Sequence, residues 1–289
     1  MRANLSKAFA LSVLLTAVAS AAEFLSGPLP AAYQTVRPAP ARAVPWILSA
    51  SPRGSAATER ALFEPIAHYL TAVTGHQIVY RQPTGALSFA HNLAAGRYDL
   101  LFGGPHLAAW AHRHLRARPL VRFSGRLVFD TVVRDPDIHG LPALVGEPVC
   151  VSPPPSLATI SLLRHFPDVL RQPYLIAVSG WQQAYRELMT GACRATVLPA
   201  SAVQRFDAQG SALHVIHQSR AYPGYGLVAD RHIPRAAQRL IRAALLTPQG
   251  RQATALLMRS DAASGWMVAH RRDYAGLSHL LRHALFLGG

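Results

Sequence analysis

The residues able to do chemistry gather where apolar segments break. Gly104, Pro105 and His106 follow the apolar run Tyr98–Phe102, and Pro105 is suited to the first position of a helix. Ser152 to Thr159 (SPPPSLAT) occupies a second junction between a strand and a helix. Free N–H groups at a helix start carry partial positive charge, so both junctions suit an anion. The His106 imidazole could donate to such an anion or respond to its protonation state. Ser156 has a plainer alternative as a helix cap, worth about 1 kcal/mol. Ser51 and Arg53 follow the first apolar strand, and a guanidinium can pair with an oxyanion bidentately.

Other chemistries find less support. His106, Trp110 and His114 share one helical face with His112 close by, a spacing that could bind a metal. With 14 histidines in the chain, chance accounts for that placement, and no metal site is expected. Cys150 and Cys193 are the two cysteines. Their number excludes a disulfide framework and a four-cysteine zinc module. They could pair in an oxidising compartment, or offer thiols to a soft solute such as trivalent arsenic. No G-x-S-x-G, H-E-x-x-H or paired-carboxylate arrangement occurs, and 14 acidic residues leave few general bases. Neither catalysis nor a cofactor is expected.

The chain has 289 residues, of which half are apolar and 15% charged, with a mean hydropathy of +0.15. That composition supplies a sizeable core and excludes general disorder. Lys and Arg number 29, giving a net charge of +15, and Lys7 is the sole lysine. The charge is compatible with anion attraction. No basic-aromatic module accompanies it, so nucleic acid is not an expected partner.

Met1 to Ala22 reads as a cleaved secretory signal. Arg2 and Lys7 precede the apolar stretch Ala8–Val18, and the small residues Ala17–Ala22 follow. The apolar stretch is shorter than the roughly 20 residues of a spanning helix. Residues 23–45, rich in Ala and Pro, read as a flexible leader.

The elements that must position these junctions alternate. Apolar strands are expected at Trp46–Ala50, Gln77–Tyr80, Tyr98–Phe102 and Leu127–Val133. Helical periodicity spans Thr58–Thr74, Leu87–Ala95 and Pro105 to about Ala117. The rhythm restarts with strands at Pro148–Ser152, Tyr174–Val178, Ala195–Leu198 and Leu213–Ile216, and with helices at Ser156–His165 and Trp181–Met189. Asp135–Gly146 reads as the connection between two α/β units, and the chain from Ile233 to Leu285 as helical.

Several segments, in order, resemble the phosphate/phosphite/phosphonate-binding proteins of ABC importers. Phe63-x-Pro65 with the helix to Thr74-Gly75 is similar to the family's F-x-P-L-x-x-Y-L-x-x-x-T-G. Gly96 to Pro105 (GRYDLLFGGP) is similar to its G-x-Y-D-x-x-x-x-G-P. Leu144-Val145-Gly146 stands where the family has L-x-G-K, Ser179–Ala184 with Gly191 resembles its small-residue turn and helix, and Tyr222-Pro223 lies near the chain's return to the first lobe. The resemblance spans roughly residues 46 to 230. It implies an α/β, two-lobe type II periplasmic-binding fold, each lobe a mostly parallel sheet flanked by helices. Lobe 1 would comprise 46–134 and the return 222–289, whose C-terminal helices pack on lobe 1. Lobe 2 would comprise 135–221.

That fold closes over a small oxyanion, and the resemblance carries particular residues into the site. Ser156 and Thr159 match the family's hydroxyl-rich turn, although Leu157 replaces a usual hydroxyl residue. His106 stands near a family tyrosine, beside Gly104 and Pro105. Ser51 and Arg53 would line the cleft, with Trp181, Tyr222 and Tyr225 as candidate walls. Asp99 resembles the family's strand aspartate and is expected to be structural. The resemblance implies a periplasmic, monomeric receptor that delivers its solute to an ABC permease. A sensor-kinase partner is the alternative, and an enzyme a more distant one.

Overall fold

The structure, a computed structural model, describes residues 44–282. The expected signal segment and the leader as far as residue 43 lie outside the described residues. Strand β1 (Trp46–Ala50) leads into α1 (Ala56–Thr74), whose first turn is capped by the Ser55 hydroxyl accepting from the Thr58 N–H. Gly75, at φ 68°, takes the left-handed turn that ends the helix. There follow β2 (Ile78–Tyr80), α2 (Ala86–Ala94), β3 (Leu100–Gly103), α3 (Pro105–Leu115) and β4 (Arg118–Phe123). Asp99 is structural: its carboxylate accepts the Ile47 N–H at 2.8 Å, holding β1 beside β3.

The chain then crosses to a second sheet. β5 (Arg126–Leu127) lies in the crossing, and β6 (Phe129–Val133) already belongs to the new sheet. Next come β7 (Pro148–Val151), α4 (Leu157–Leu163), β8 (Tyr174–Ala177), α5 (Trp181–Thr190), β9 (Ala195–Pro199), α6 (Ala200–Phe206) and β10 (His214–Gln218). The return strand β11 (Tyr222–Pro223) pairs antiparallel with β5, so both crossings run side by side as a two-stranded hinge. β12 (Gly226–Ala229) re-enters the first sheet, followed by α7 (Arg235–Leu245), α8 (Pro248–Ala253), α9 (Ala255–Ser260) and the edge strand β13 (Trp266–Val268).

The first sheet has the order β13-β4-β12-β3-β1-β2 and the second β10-β6-β9-β7-β8. Both are mixed. β1 pairs in parallel with β2 and β3, and β7 with β8 and β9, whereas β12 runs antiparallel to β3 and β4, and β6 antiparallel to β9 and β10. The expected boundary between the lobes is therefore corrected. Phe129–Val133 pairs with β9 and β10 in the second sheet, so the first crossing falls at 124–128 and not at Asp135–Gly146. The C-terminal segment also departs from an all-helical reading through β13, which pairs with β4.

The C-terminal helices pack on the first lobe, where the Tyr69 hydroxyl on α1 donates to the Ala244 carbonyl on α7 at 3.1 Å. Phe63, Leu70 and Phe102 are among the side chains buried beneath them. The second lobe closes around Cys150, Leu188, Leu198 and Ala202.

Candidate functional site

A cleft of about 700 Å³ opens between the lobes, lined by residues that follow strands of both sheets. From the first lobe α1, α2 and α3 begin at it, through Ala56, Ala86 and the Gly104–His106 turn. From the second, α5 begins there at Gly180–Trp181, and the short α4 at Ser156. Ligands in α/β sheets lie beyond the carboxyl ends of strands, where such helix starts converge. Each start presents N–H groups that lack intrahelical partners. The Gly104, Ser156 and Gly180 starts carry no side-chain cap, although at Gly104 Pro105 has no N–H and the Leu107 N–H turns back to the Gly104 carbonyl at 3.0 Å, which leaves the His106 N–H as the open donor there.

The lobes meet at several points, Arg205 donating to the Arg259 carbonyl at 3.0 Å among them, and two contacts lie on the cleft lining itself. His106 on α3 is 2% exposed, and its Nε2 lies 2.7 Å from the Pro155 carbonyl of the second lobe. Burial lowers the imidazole to about 4, although the carbonyl bond favours the charged form. A side chain at Gly104 would strike the His106 ring, its Cβ falling 2.7 Å from Cε1, so glycine is needed there. The second contact is at Gly180, whose φ of 86° favours glycine and where an added Cβ would stand 2.4 Å from the Arg53 carbonyl oxygen. The lobes are therefore in contact in this conformation.

Arg53 lines the first-lobe wall with its charge already held. Its Nη1 donates to both Asp261 oxygens, at 2.9 and 2.7 Å, and its guanidinium lies over the Tyr225 ring at 4.9 Å. Burial opposes that charge, but Asp261, Tyr225 and Glu59 together more than offset it and raise the pKa. Nε is buried without a hydrogen-bond partner. Glu59 lies next to it on α1, accepting from the Arg53 N–H at 2.7 Å and from the Tyr80 hydroxyl at 3.1 Å. Burial pushes the Glu59 carboxyl up, against the pull of Arg53.

Ser51, Arg53, Gly104, His106, Ser156 and Trp181 are brought together on the cleft, as is Tyr225. Three of the proposed site residues lie elsewhere. Thr159 is buried and its hydroxyl donates to the Ser152 carbonyl, bracing the turn from behind. Tyr222 is buried in the hinge, its hydroxyl 3.1 Å from the Ser161 hydroxyl and its ring under the Arg220 guanidinium. Pro105 sets the start of α3 without lining the cleft.

The histidine face of α3 does not converge. His112 Nδ1 bonds the Ala117 carbonyl, His114 stacks on Trp110, and no metal-binding cluster occurs among the described residues. Cys150 and Cys193 form a disulfide, with Cα atoms 5.8 Å apart. Glu59 and Gln82–Ala86 are not among the residues singled out in the sequence, where Gly180 figures only as part of the Ser179–Ala184 turn. The Ser55 cap ahead of Glu59 and the Pro83-Thr84-Gly85 turn ahead of α2 were the available signals.

The family model described as "ABC transporter, phosphonate, periplasmic substrate-binding protein" matches residues 48–274. A search of curated proteins finds no match. Among solved structures, PhnD1 from Prochlorococcus marinus, in complex with methylphosphonate, superposes with a TM-score of 0.68 at 12% identity, over 82% of this chain and 97% of that one. XAC2383 from Xanthomonas citri bound to ATP gives 0.65 at 16%, over 82% and 96%. A binding protein component of an ABC phosphonate transporter from Pseudomonas aeruginosa gives 0.64 at 12%, over 81% and 84%. These likenesses establish the two-lobe fold of type II periplasmic-binding proteins. With the family match over most of its length, the chain belongs to the periplasmic substrate-binding proteins of phosphonate ABC transporters.

Proposed function

We propose that this receptor captures a small oxyanion of the phosphate, phosphite or phosphonate type between its lobes and delivers it to an ABC permease after export through the Met1–Ala22 signal. The observation that carries the reading is the convergence of helix starts from both lobes on one cleft. Uncapped N–H groups and aligned dipoles favour an anion, and contact between the lobes excludes water and strengthens those bonds. In this reading Ser156 supplies a hydroxyl free of any capping bond. Ser51 supplies another, and Arg53, fixed by Asp261, keeps its guanidinium donors at the wall. Trp181 and Tyr225 flank the substituent.

Thermal unfolding of residues 23–289 against phosphate, phosphite, methylphosphonate, aminoethylphosphonate, sulfate, arsenate and arsenite tests it. A micromolar ligand at millimolar concentration stabilises by about 4 kcal/mol. For a domain of this size that is a shift of roughly 8–16 °C. A shift of that size with one oxyanion, reduced in Ser156→Ala, supports the reading. No shift with any of them overturns it.

A further inference from the structure

A second concavity, of about 270 Å³, lies on the first lobe and is lined by Arg118, Arg235, Arg239 and Arg242 around Gln238. What sets these four arginines in one group is the hollow they share, since among the described residues Arg186, Arg251, Arg271 and Arg272 have equally unpaired side chains. Arg53, Arg122 and Arg194 hold carboxylates, and Arg126, Arg134 and Arg205 donate to backbone carbonyls. Among the described residues, the side chain of none of the four makes an ion pair or a hydrogen bond.

Their placement gathers like charge that an anion among them would relieve. Arg235, Arg239 and Arg242 are spaced i, i+4, i+7 on α7, so they share a face and repel one another. Arg235 is the first residue of that helix, whose positive end disfavours a cation, and no acidic residue stands in the first turn. Arg118 adds a fourth charge from the start of β4. Gln238 is buried beneath them, with Nε2 anchored to the Ile233 carbonyl at 2.8 Å.

The concavity is also remote from the cleft. Arg118 pairs with Ala229, and Ala229 with Leu100 at the start of β3, whereas Gly103 at the other end of β3 leads into the cleft. The two cavities share no residue.

We infer that this concavity is an anion site for a phosphate-bearing group, separate from the solute cleft. Guanidinium groups match phosphate oxygens bidentately and are weakly hydrated, so several around one hollow select a group with more than one oxygen acceptor. A free polyphosphate and a phospholipid headgroup present the same chemistry. The inference does not depend on which solute the cleft takes.

Two arms test it with the intact chain, residues 23–289, at low salt. One titrates tripolyphosphate calorimetrically. The other co-sediments the protein with phosphatidylcholine vesicles, with and without phosphatidylglycerol. Binding is expected in at least one arm, and the arm that responds identifies the source. Replacing Arg118, Arg235, Arg239 and Arg242 together by Gln should weaken that binding about tenfold or more. Ser156→Ala in the cleft should leave it intact. A charge-matched control, with Arg186, Arg251, Arg271 and Arg272 changed to Gln, separates a site from net charge. The inference is overturned if the wild type binds in neither arm. It is equally overturned if the control loses as much as the concavity variant, or if Ser156→Ala abolishes binding.

Discussion

His106 of the first lobe and Pro155 of the second share a hydrogen bond across the cleft, Nε2 lying 2.7 Å from the carbonyl oxygen. A carbonyl only accepts, so Nε2 carries the ring proton, and Nδ1 is buried with no partner. Protonating Nδ1 would bury a positive charge, which is why burial lowers the group to about 4. The unfolded imidazole, near 6.5, takes its proton first. Stability from the neutral ring is thus complete above about pH 6.5 and is lost as pH falls toward 4, by on the order of 3 kcal/mol. Glu59, pushed up by burial, works in the opposite sense. His106→Gln keeps an N–H donor and removes the titration. Urea midpoints at pH 7 and 4.5 should fall less in this variant than in the wild type. An equal fall in both would assign the acid sensitivity to another group.

Gly180→Ala should uncouple binding from folding. With φ 86° and ψ 169°, Gly180 occupies a region open essentially to glycine alone, and alanine there costs about 1–3 kcal/mol with the lobes apart or together. Lobe contact adds the clash with the Arg53 carbonyl. The expected result is a modest fall in Tm with more than about tenfold weaker ligand binding. Small-angle scattering should show the wild type compacting with ligand while the variant stays extended. A variant that compacts and binds normally would show that the Gly180–Arg53 approach is dispensable for closure.

Ser156→Ala and Thr159→Ala should separate two hydroxyls that the sequence presents as equivalent. The Ser156 hydroxyl makes no capping bond, so its loss should leave Tm nearly unchanged while weakening ligand binding. Thr159→Ala removes the donor to the part-buried Ser152 carbonyl, a loss of about 1 kcal/mol. Ligand affinity should follow only as far as the turn loosens. Equal effects on Tm and affinity in both variants would refute this division.

The Cys150–Cys193 disulfide ties β7 to the segment entering β9 across a sequence separation of 43. A loop of that length restricts the unfolded chain by about 4 kcal/mol on the entropic account. Reductant should lower Tm of the wild type and leave Cys150→Ala/Cys193→Ala unmoved. Thiol alkylation without reductant should add no mass to the native chain.

Much of this architecture is legible from hydrophobic periodicity. The starts at Ala56, Pro105 and Trp181 follow apolar strands and small residues, and local chemistry alone marks them. What local chemistry does not carry is sheet membership. Phe129–Val133 reads as a strand in isolation, but only its long-range pairing with β9 and β10 assigns it to the second lobe. β12 escapes notice because Gly226–Ala229 is short and begins with a glycine fitted against the Val121 carbonyl, 2.8 Å from where a Cβ would stand. The same limit governs the site. Ser156 and Thr159 differ by three positions in sequence, and which hydroxyl faces the cleft is decided by the turn's packing. Tyr222 looks like a cleft wall by type and becomes a hinge residue through Ser161, a partner 61 positions away.

Arg53 and Asp261 join the first cleft loop to the segment after α9, 208 positions apart, with side chains only 13% and 6% exposed. Removing one member of such a buried pair leaves the other charge without compensation, at a cost of about 3–5 kcal/mol. Asp261→Ala should therefore destabilise strongly. The double variant Arg53→Met/Asp261→Leu removes both charges and fills similar volume, so it should recover most of that loss. Stability alone would then make the pair dispensable. Its remaining purpose is to fix the guanidinium, with its donors, at the cleft wall. The double variant should accordingly unfold near the wild-type temperature without ligand, yet lose most of the ligand-induced shift. A double variant with a full ligand shift would remove Arg53 from the binding site and leave it a packing residue.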